Sequence, residues 1–199
     1  MIAVIDYGAG NLRSVANALD AIRAEYSVVR TPTALQDADR IILPGVGHFG
    51  QMMRSLDDLN LRAALRARIS DGIPFLGICL GFQALFDGSE EAPEARGLGI
   101  LAGTVRRFDA GTRTPHMGWN GVVQTGRRDA RLLAGMAREP YMYFAHSYYA
   151  PLNETAAASC TYSVTFTALA EAGRLCGVQF HPEKSGPAGL RLLGNFLEL

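Results

Sequence analysis

Residues 77–81, with the sequence GICLG, place a cysteine between two glycines that are each two positions away. This spacing is typical of a strand-to-helix elbow, a turn so tight that it leaves no room for neighbouring side chains. At the start of a helix, the Cys79 thiolate would be stabilised by free N–H groups and by the helix dipole. A lone cysteine is more often a buried, inert residue. The paired glycines favour a nucleophile.

A nucleophilic cysteine needs a base, and the base needs a group that orients it. Residues 177–183, GVQFHPE, supply His181 and Glu183 at the end of a predicted strand, with Pro182 stiffening the link between them. Glu183 can accept from one imidazole nitrogen and leave the other facing a thiol. Taken alone this pair is a weak signal, because ordinary surface residues would explain it about as well.

Together, GICLGFQ and GVQFHPEKS resemble the class I, or triad, glutamine amidotransferases, and the resemblance implies that Cys79, His181 and Glu183 form the catalytic triad. Two further segments, DYGAGN (residues 6–11) and PHMGWN (residues 115–120), narrow the resemblance to the glutaminase subunits of imidazole glycerol phosphate synthase, from histidine biosynthesis. This implies an enzyme that hydrolyses L-glutamine to glutamate and ammonia, without a cofactor or a metal.

Two backbone segments are predicted to stabilise the negative oxygen of an attacked carbonyl. In an elbow, the N–H of the residue after the nucleophile, Leu80, points at that oxygen. The loop PGVGHFG (residues 44–50) has three glycines, which suit an anion-binding concavity or simply a tight turn. The resemblance implies that Val46 and Gly47 complete this oxyanion hole through backbone N–H groups, after a conformational change. His48 is expected to be non-catalytic.

The substrate contacts follow from spacing and from the resemblance. Gln83 lies one helical turn after Cys79 on the same face, so it can reach the same pocket. The resemblance assigns Gln83 and Gly47 to the substrate glutamine, and Ser147 and Tyr148 to its amino-acid end. Packing alone would explain Tyr141 and Phe144 in the strand-like segment 141–149. Residues 89–91, SEE, are predicted to be a polar loop without a role.

The resemblance also implies a partner on another polypeptide, a (β/α)₈ cyclase subunit. It would use the ammonia to form imidazole glycerol phosphate and the aminoimidazole carboxamide ribotide, AICAR. His116 is excluded as the base because it has no carboxylate two residues on. Of the interface candidates, Asn11 could equally be a helix cap, and Trp119 could equally be a packing residue. The predicted interface residues are Asn11, Trp119, Asn120, Tyr143 and Lys184.

Composition narrows the class of protein. Lysine plus arginine and aspartate plus glutamate both number 19 in the 199 residues, so no basic excess indicates nucleic acid. No apolar run approaches the about 18 residues of a membrane span, and the first residues predict a strand rather than a signal peptide. The three cysteines have neither disulfide-framework nor zinc spacing. We expect a cytoplasmic protein, where a thiol stays reduced.

Apolar runs alternate with helical patterns along the chain, which predicts an α/β protein with one domain over residues 1–199. The expected architecture is a mostly parallel sheet with helices on both faces, the flavodoxin-like fold of the resembled family, with small antiparallel additions in the C-terminal half. Its site should lie at the carboxyl ends of the strands. One long helix is predicted over residues 52–70, and a small hairpin over residues 161–166 and 169–171.

Three other functions fit parts of the sequence. An amidotransferase subunit for pyridoxal phosphate or aminodeoxychorismate synthesis would share the triad, but DYGAGN and PHMGWN argue against both. A Cys-His hydrolase acting on small peptides would share the elbow. A catalytically inactive regulatory partner would share the fold, and the intact Cys79, His181 and Glu183 argue against it.

Overall fold

The computed structural model describes residues 1–127 and 130–199. Its helices are α1 (Leu12–Ala21), α2 (Phe49–Asp58), α3 (Leu61–Ser70), α4 (Leu80–Gln83) and α5 (Gly186–Leu197), with 3₁₀ turns at Thr33–Leu35 and Pro182–Lys184. Its strands are β1 (Ile2–Ile5), β2 (Tyr26–Val29), β3 (Arg40–Gly45), β4 (Phe75–Cys79), β5 (Phe86–Ser89), β6 (Leu101–Arg107), β7 (His116–Gly121), β8 (Val123–Gln124), β9 (Tyr141–His146), β10 (Tyr148–Tyr149), β11 (Ala156–Thr161), β12 (Thr165–Ala172) and β13 (Leu175–Val178).

One eight-stranded sheet organises the chain, with the order β2-β1-β3-β4-β13-β12-β11-β8. The first five strands in this order are parallel, and β12, β11 and β8 extend the sheet antiparallel. Two smaller sheets, β10-β6-β5 and β7-β9, stand beside it. The predicted mostly parallel α/β fold is confirmed, and the antiparallel additions belong mainly to the C-terminal half.

Alternating side chains of β1 show how the two faces of the sheet are covered. Ile2 and Val4 pack with residues of α1 and α5, whereas Ala3 and Ile5 pack with residues of α2 and α3. Because successive strand residues point to opposite faces, these are two cores on the two sides of one sheet. None of the helices within residues 1–127 and 130–199 is long and apolar enough to cross a membrane.

Two predicted elements were wrong in their bounds. The helix expected over residues 52–70 is two helices, because Asn60 adopts a left-handed φ of 56° between α2 and α3. Asparagine tolerates this conformation better than other residues with a side chain, so it breaks the helix without interrupting the apolar pattern. The turn of the predicted hairpin was also misplaced: residues 167 and 168 lie inside strand β12, and the hairpin is formed by β11 and β12 around a turn at Ser163.

The small residues of β11, AAASC, have little strand propensity, which explains why its pattern did not predict a strand. Strand β12 is buried over six consecutive residues, so it lacks the alternation that marks a half-exposed strand. The segment PHMGWN contains a glycine and a tryptophan, a composition that is also found in turns. Its last five residues lie instead in β7, paired antiparallel with β9.

Candidate active site

Cys79 ends the central strand β4 and lies in the strained conformation of an elbow, with φ 54° and ψ −107°. The flanking glycines are required by close backbone approach. A Cβ at Gly77 would lie 2.6 Å from the carbonyl oxygen of Gly81, and one at Gly81 would lie 1.8 Å from that of Leu43. The following helix α4 has a single turn, so a helix dipole contributes less than the sequence predicted. The free N–H groups remain.

His181 and Glu183 lie together behind the cysteine. Nδ1 of His181 is 2.8 Å from Oε1 of Glu183, and both side chains are at most 3% exposed. The backbone of His181 is also held, because its N–H donates to Tyr143 O and its carbonyl accepts from Ser185 Oγ. Oε2 of Glu183 has no hydrogen-bond partner among the described residues.

The charge on His181 depends on two neighbouring side chains. Burial lowers the pKa of His181, but the interactions with Cys79 and Glu183 outweigh it and raise the pKa to about 10. A hydrogen bond to Cys79 is one of the causes of this increase, and both side chains line the same cavity. The imidazolium form of His181 is therefore favoured at neutral pH, beside the sulfur of Cys79.

A cavity of about 270 Å³ opens over the cysteine at the carboxyl ends of β3 and β4. It brings together nine of the residues that the sequence singled out, from four separate segments of the chain. Glu183 lies behind His181, outside the lining, and four of the five predicted interface residues lie outside it as well. The nine are Val46, Gly47, Cys79, Leu80, Gln83, Ser147, Tyr148, His181 and Lys184.

The two predicted parts of the oxyanion hole differ in the contacts that their backbone N–H groups make. Leu80 is the first residue of α4, so its N–H has no acceptor within that helix. The N–H of Val46 instead donates to Tyr7 Oη at 3.3 Å, and Tyr7 Oη donates to Val46 O at 3.5 Å. Tyr7 was not predicted from the sequence. Its ring is buried, and burial raises its pKa to about 12, so it is neutral.

The amide of Gln83 has a defined orientation. Its Nε2 donates to Tyr148 O at 2.8 Å and to Gln179 Oε1 at 3.0 Å. Both hydrogens of Nε2 are therefore used within the protein, and Oε1 is the atom left to accept from a ligand in the cavity. Gln179 is a second residue that the sequence interpretation missed. It precedes His181 by two positions, a spacing that directs both side chains to one side of an extended chain.

The segment SEE is not the loop without a role that the sequence predicted. Ser89 ends β5 and is 2% exposed, and its Oγ accepts from the N–H of Glu91. Oε2 of Glu91 accepts from the N–H of Phe49 at 2.7 Å, at the start of α2, and Glu91 also lines the cavity. His48 caps the same helix through Nδ1, which accepts from Gly50 N.

Three predicted interface residues form one strip beside the cavity. The rings of Trp119 and Tyr143 lie edge to face with centroids 6.2 Å apart, and Nζ of Lys184 lies 5.8 Å from the Tyr143 centroid. Trp119 is 56% exposed, an unusual position for a tryptophan that only packs. Asn11 lies apart at the start of α1, where its side chain forms no cap hydrogen bond.

The fifth candidate, Asn120, reaches inward to a buried histidine pair. Its Nδ2 lies 3.1 Å from Thr161 O and 3.3 Å from His116 Nε2. Nδ1 of His116 lies 3.0 Å from Nε2 of His146, whose Nδ1 lies 2.8 Å from Tyr148 O. Burial lowers the pKa of His116 to about 4 and that of His146 to about 3, so both rings are neutral at neutral pH.

The other two cysteines have no part in the site. Burial raises the pKa of the Cys160 thiol to about 12 and that of Cys176 well above its ordinary value. Within residues 1–127 and 130–199, no cluster of histidine, cysteine or acidic side chains has the arrangement of a metal site.

A cysteine elbow beside a buried His–Glu pair, at the carboxyl ends of a mostly parallel sheet, defines a glutamine amidotransferase of class I. The family model described as "Glutamine amidotransferase class-I" matches residues 3–199, and the chain belongs to this family. The imidazole glycerol phosphate synthase subunit HisH of Methanothermobacter thermautotrophicus is 49% identical, over 100% of this chain and 98% of that protein. HisH of Thermus thermophilus is 48% identical, over 96% and 93%. Within the family, the chain groups with the HisH subunits, which confirms the narrower resemblance.

Solved structures show the same fold at lower identity. A crystal structure of a glutamine amidotransferase has a TM-score of 0.78 and 22% identity, over 100% of this chain and 98% of that one. The structure of PurLQS from Thermotoga maritima gives 0.75 and 20%, over 99% and 97%.

Proposed function

We propose that this chain is the glutaminase subunit of imidazole glycerol phosphate synthase. It hydrolyses L-glutamine and passes the ammonia to a (β/α)₈ cyclase subunit in histidine biosynthesis. The observation that carries the proposal is the Cys79 elbow with the buried His181–Glu183 pair under a cavity, in a chain 49% identical to a HisH subunit. The chain acts as one amidotransferase domain, because both of its cores pack on one sheet. We place it in the cytoplasm.

The first half of the reaction forms a thioester. The Cys79 thiolate attacks the side-chain amide carbon of glutamine, and the carbonyl oxygen becomes negative. The imidazolium of His181 then gives its proton to the amide nitrogen, the C–N bond breaks, and ammonia leaves. Glu183 fixes the ring through Nδ1, so that Nε2 is the nitrogen that faces the sulfur and the leaving group.

The second half regenerates the enzyme. The neutral His181 takes a proton from water as the water oxygen attacks the thioester carbon. The C–S bond then breaks, glutamate leaves, and the thiolate and imidazolium pair is restored. In both halves the negative oxygen needs backbone N–H donors, which are worth about 3–4 kcal/mol each in comparable sites. Leu80 supplies one, and the loop at Val46 and Gly47 supplies the other once the Val46 peptide is released from Tyr7.

The cavity suits an amino acid held at both ends. Oε1 of Gln83 accepts from the α-ammonium group of glutamine, and Ser147 and Tyr148, which line the same cavity, hold the same end. This arrangement leaves the side-chain amide over Cys79. The volume is near the lower end of the range for small-molecule pockets, which favours a small substrate over a peptide.

The partner docks on the exposed face of β7 and β9. The centre of this docking surface is the strip of Trp119, Tyr143 and Lys184. The neighbouring Met117 and Tyr141 are 64% and 60% exposed. Aromatic residues with exposed apolar surface are enriched at protein interfaces. Lys184 lies in both the strip and the cavity lining, so docking here covers the opening of the site.

The test compares two nitrogen sources in the reconstituted complex. The wild-type complex should form imidazole glycerol phosphate with either glutamine or ammonium salts. The Cys79→Ala complex should lose the glutamine-dependent reaction and keep the ammonium-dependent one. Glutamine-dependent synthesis by the Cys79→Ala complex, or no synthesis from glutamine by the wild-type complex, would overturn the proposal.

A further inference from the structure

Gln179 is a buried polar residue beside the nucleophile Cys79, and its side chain has no role in the proposed mechanism. It is 0% exposed, and its Nε2 lies 3.8 Å from Cys79 Sγ, within reach of a hydrogen bond to sulfur. Its Oε1 lies 3.0 Å from Gln83 Nε2, which in turn lies 2.8 Å from Tyr148 O. The two amides thus connect a backbone carbonyl to the catalytic sulfur.

The backbone carbonyl fixes the direction of every bond in this series. Because Tyr148 O can only accept, the Gln83 amide must present Nε2 to it. The second hydrogen of that nitrogen requires an acceptor, and Oε1 of Gln179 lies 3.0 Å away in that position. The remaining end of the Gln179 amide is its NH₂ group. An N–H donor therefore faces the sulfur of Cys79. The opposite orientation of Gln179 would break the bond from Gln83 or, if Gln83 turned as well, the bond from Gln83 to Tyr148 O, and both bonds are shorter than the contact with the sulfur.

The other neighbours of the sulfur show why this donor matters. Ala145 O lies 3.9 Å from Cys79 Sγ, where it accepts from the thiol and opposes the thiolate. His181 favours the thiolate through its charge, but its proton is the one transferred in the reaction. Gln179 is a neutral donor that keeps its hydrogens throughout. A hydrogen bond to the charged form of a group favours that form.

We propose that Gln179 is a positioning residue, oriented by Gln83, that donates an N–H to the Cys79 thiolate and so favours the nucleophilic form. The proposal rests on the proposed function, because that function makes Cys79 the nucleophile. Gln83 then has two roles. Its Oε1 accepts from the substrate, and its Nε2 orients the amide of Gln179 toward the nucleophile.

The test follows alkylation of Cys79 by iodoacetamide across pH in the full-length chain, measured by mass spectrometry of the Cys79 peptide. Gln179→Met keeps the length of the side chain and removes the donor. The pH midpoint of alkylation in this variant should rise by about one pH unit, because a hydrogen bond to a charged group favours the charged form by an amount that corresponds to about one unit. In the complex, kcat/KM for glutamine should fall by about tenfold to a hundredfold.

The matched control is Thr167→Val. Thr167 is also 0% exposed, and its substitution removes a buried hydrogen bond from Oγ1 to Pro151 O, which does not involve the sulfur. Its alkylation midpoint should stay at the wild-type value. A midpoint in Gln179→Met that equals the wild-type value, or an equal rise in Thr167→Val, would overturn the proposal.

A second variant covers the case in which Gln179→Met does not fold. Gln83→Met leaves Gln179 in place but frees its amide to turn, so a smaller rise of the midpoint is expected, and no rise would overturn the proposal. Alkylation needs no glutamine, which separates the two hypotheses. A raised midpoint in a protein whose wild-type complex cannot use glutamine would support the role of Gln179 and overturn the proposed function.

Discussion

Tyr7 Oη accepts a hydrogen bond from the N–H of Val46 and donates one to its carbonyl oxygen, at 3.3 and 3.5 Å. Tyr7 belongs to the loop after β1, whereas Val46 follows β3, the next strand in the sheet. One phenol thus holds both polar groups of a residue that is expected to serve the oxyanion hole. In this state the Val46 N–H is directed to Tyr7 and is unavailable to a substrate oxygen.

Removing the hydroxyl should therefore release the Val46 peptide. We predict that Tyr7→Phe raises the glutaminase rate of the chain without its partner by about tenfold, a fraction of the about hundredfold that one oxyanion donor supplies. The control is Tyr162→Phe, which also loses one hydrogen bond to a backbone carbonyl, that of Arg113. A rate in Tyr7→Phe no higher than in the wild type would contradict the idea that Tyr7 restrains the loop.

The carboxylate of Glu183 should affect both the rate and its pH dependence. Glu183→Gln keeps an oxygen that can accept from His181 Nδ1 but removes the negative charge. We expect kcat/KM in the complex to fall by about a hundredfold or more. The pKa of His181 is raised to about 10 partly by this carboxylate, so the alkaline limb of the pH–rate profile should move to lower pH. An unchanged alkaline limb would show that Glu183 does not stabilise the imidazolium.

The histidine pair should make the folded chain less stable in acid. The pKa values of His116 and His146 are lowered to about 4 and about 3, whereas unfolded histidine titrates near about 6.5. Between these values the unfolded chain binds more protons, so the free energy of unfolding falls as the pH falls below about 6.5. Well below that pH, His181 is protonated in both states and adds no slope.

Urea unfolding across this window measures the effect. His116→Phe keeps a ring stacked between Phe144 and Tyr162, at centroid distances of 4.8 and 4.1 Å in the wild type, and removes one titrating group. The free energy of unfolding of this variant should change less with pH than that of the wild type. Equal slopes would mean that His116 is not kept neutral by the fold.

The exposed strip of β7 and β9 should carry much of the partner affinity. Trp119→Ala should weaken binding of the cyclase subunit by about 2 kcal/mol or more, the size expected of a central aromatic contact. Val28→Ala is the control, since Val28 is 49% exposed on the edge strand β2. Equal affinity of the Trp119→Ala chain and the wild type in a titration by calorimetry would place the interface elsewhere.

The sequence predicted the elbow and the triad because their chemistry depends on residue types at short, fixed spacing. The glycines at 77 and 81 are needed by the backbone itself, so they mark Cys79 without any knowledge of the rest of the chain. His181 and Glu183 are two residues apart, and that distance alone allows the hydrogen bond that the structure contains.

The contacts that the sequence did not predict are made across long separations. Tyr7 and Val46 are 39 residues apart, and Gln179 and Cys79 are 100 residues apart. Glu91 caps α2 from 42 residues away, and no local pattern distinguishes it from an ordinary surface carboxylate. Such contacts depend on which strands become neighbours in the sheet. Neighbours in the order β1-β3-β4-β13 are distant along the chain, so spacing carries no signal for them.

In the proposed mechanism, Cys79 forms a thioester with the side-chain carbonyl carbon of glutamine. The most direct measurement is to mix the complex with glutamine, quench it in acid within one turnover, and search the Cys79 peptide for a bound glutamyl group by mass spectrometry. We expect the glutamyl group on Cys79 in the wild type. More of it should accumulate on Cys79 in His181→Asn when that variant is given a glutamyl thioester as substrate, because the variant no longer activates the water that hydrolyses the thioester. Rapid ammonia release with no glutamyl group on Cys79, or with the group on another residue, would contradict the mechanism.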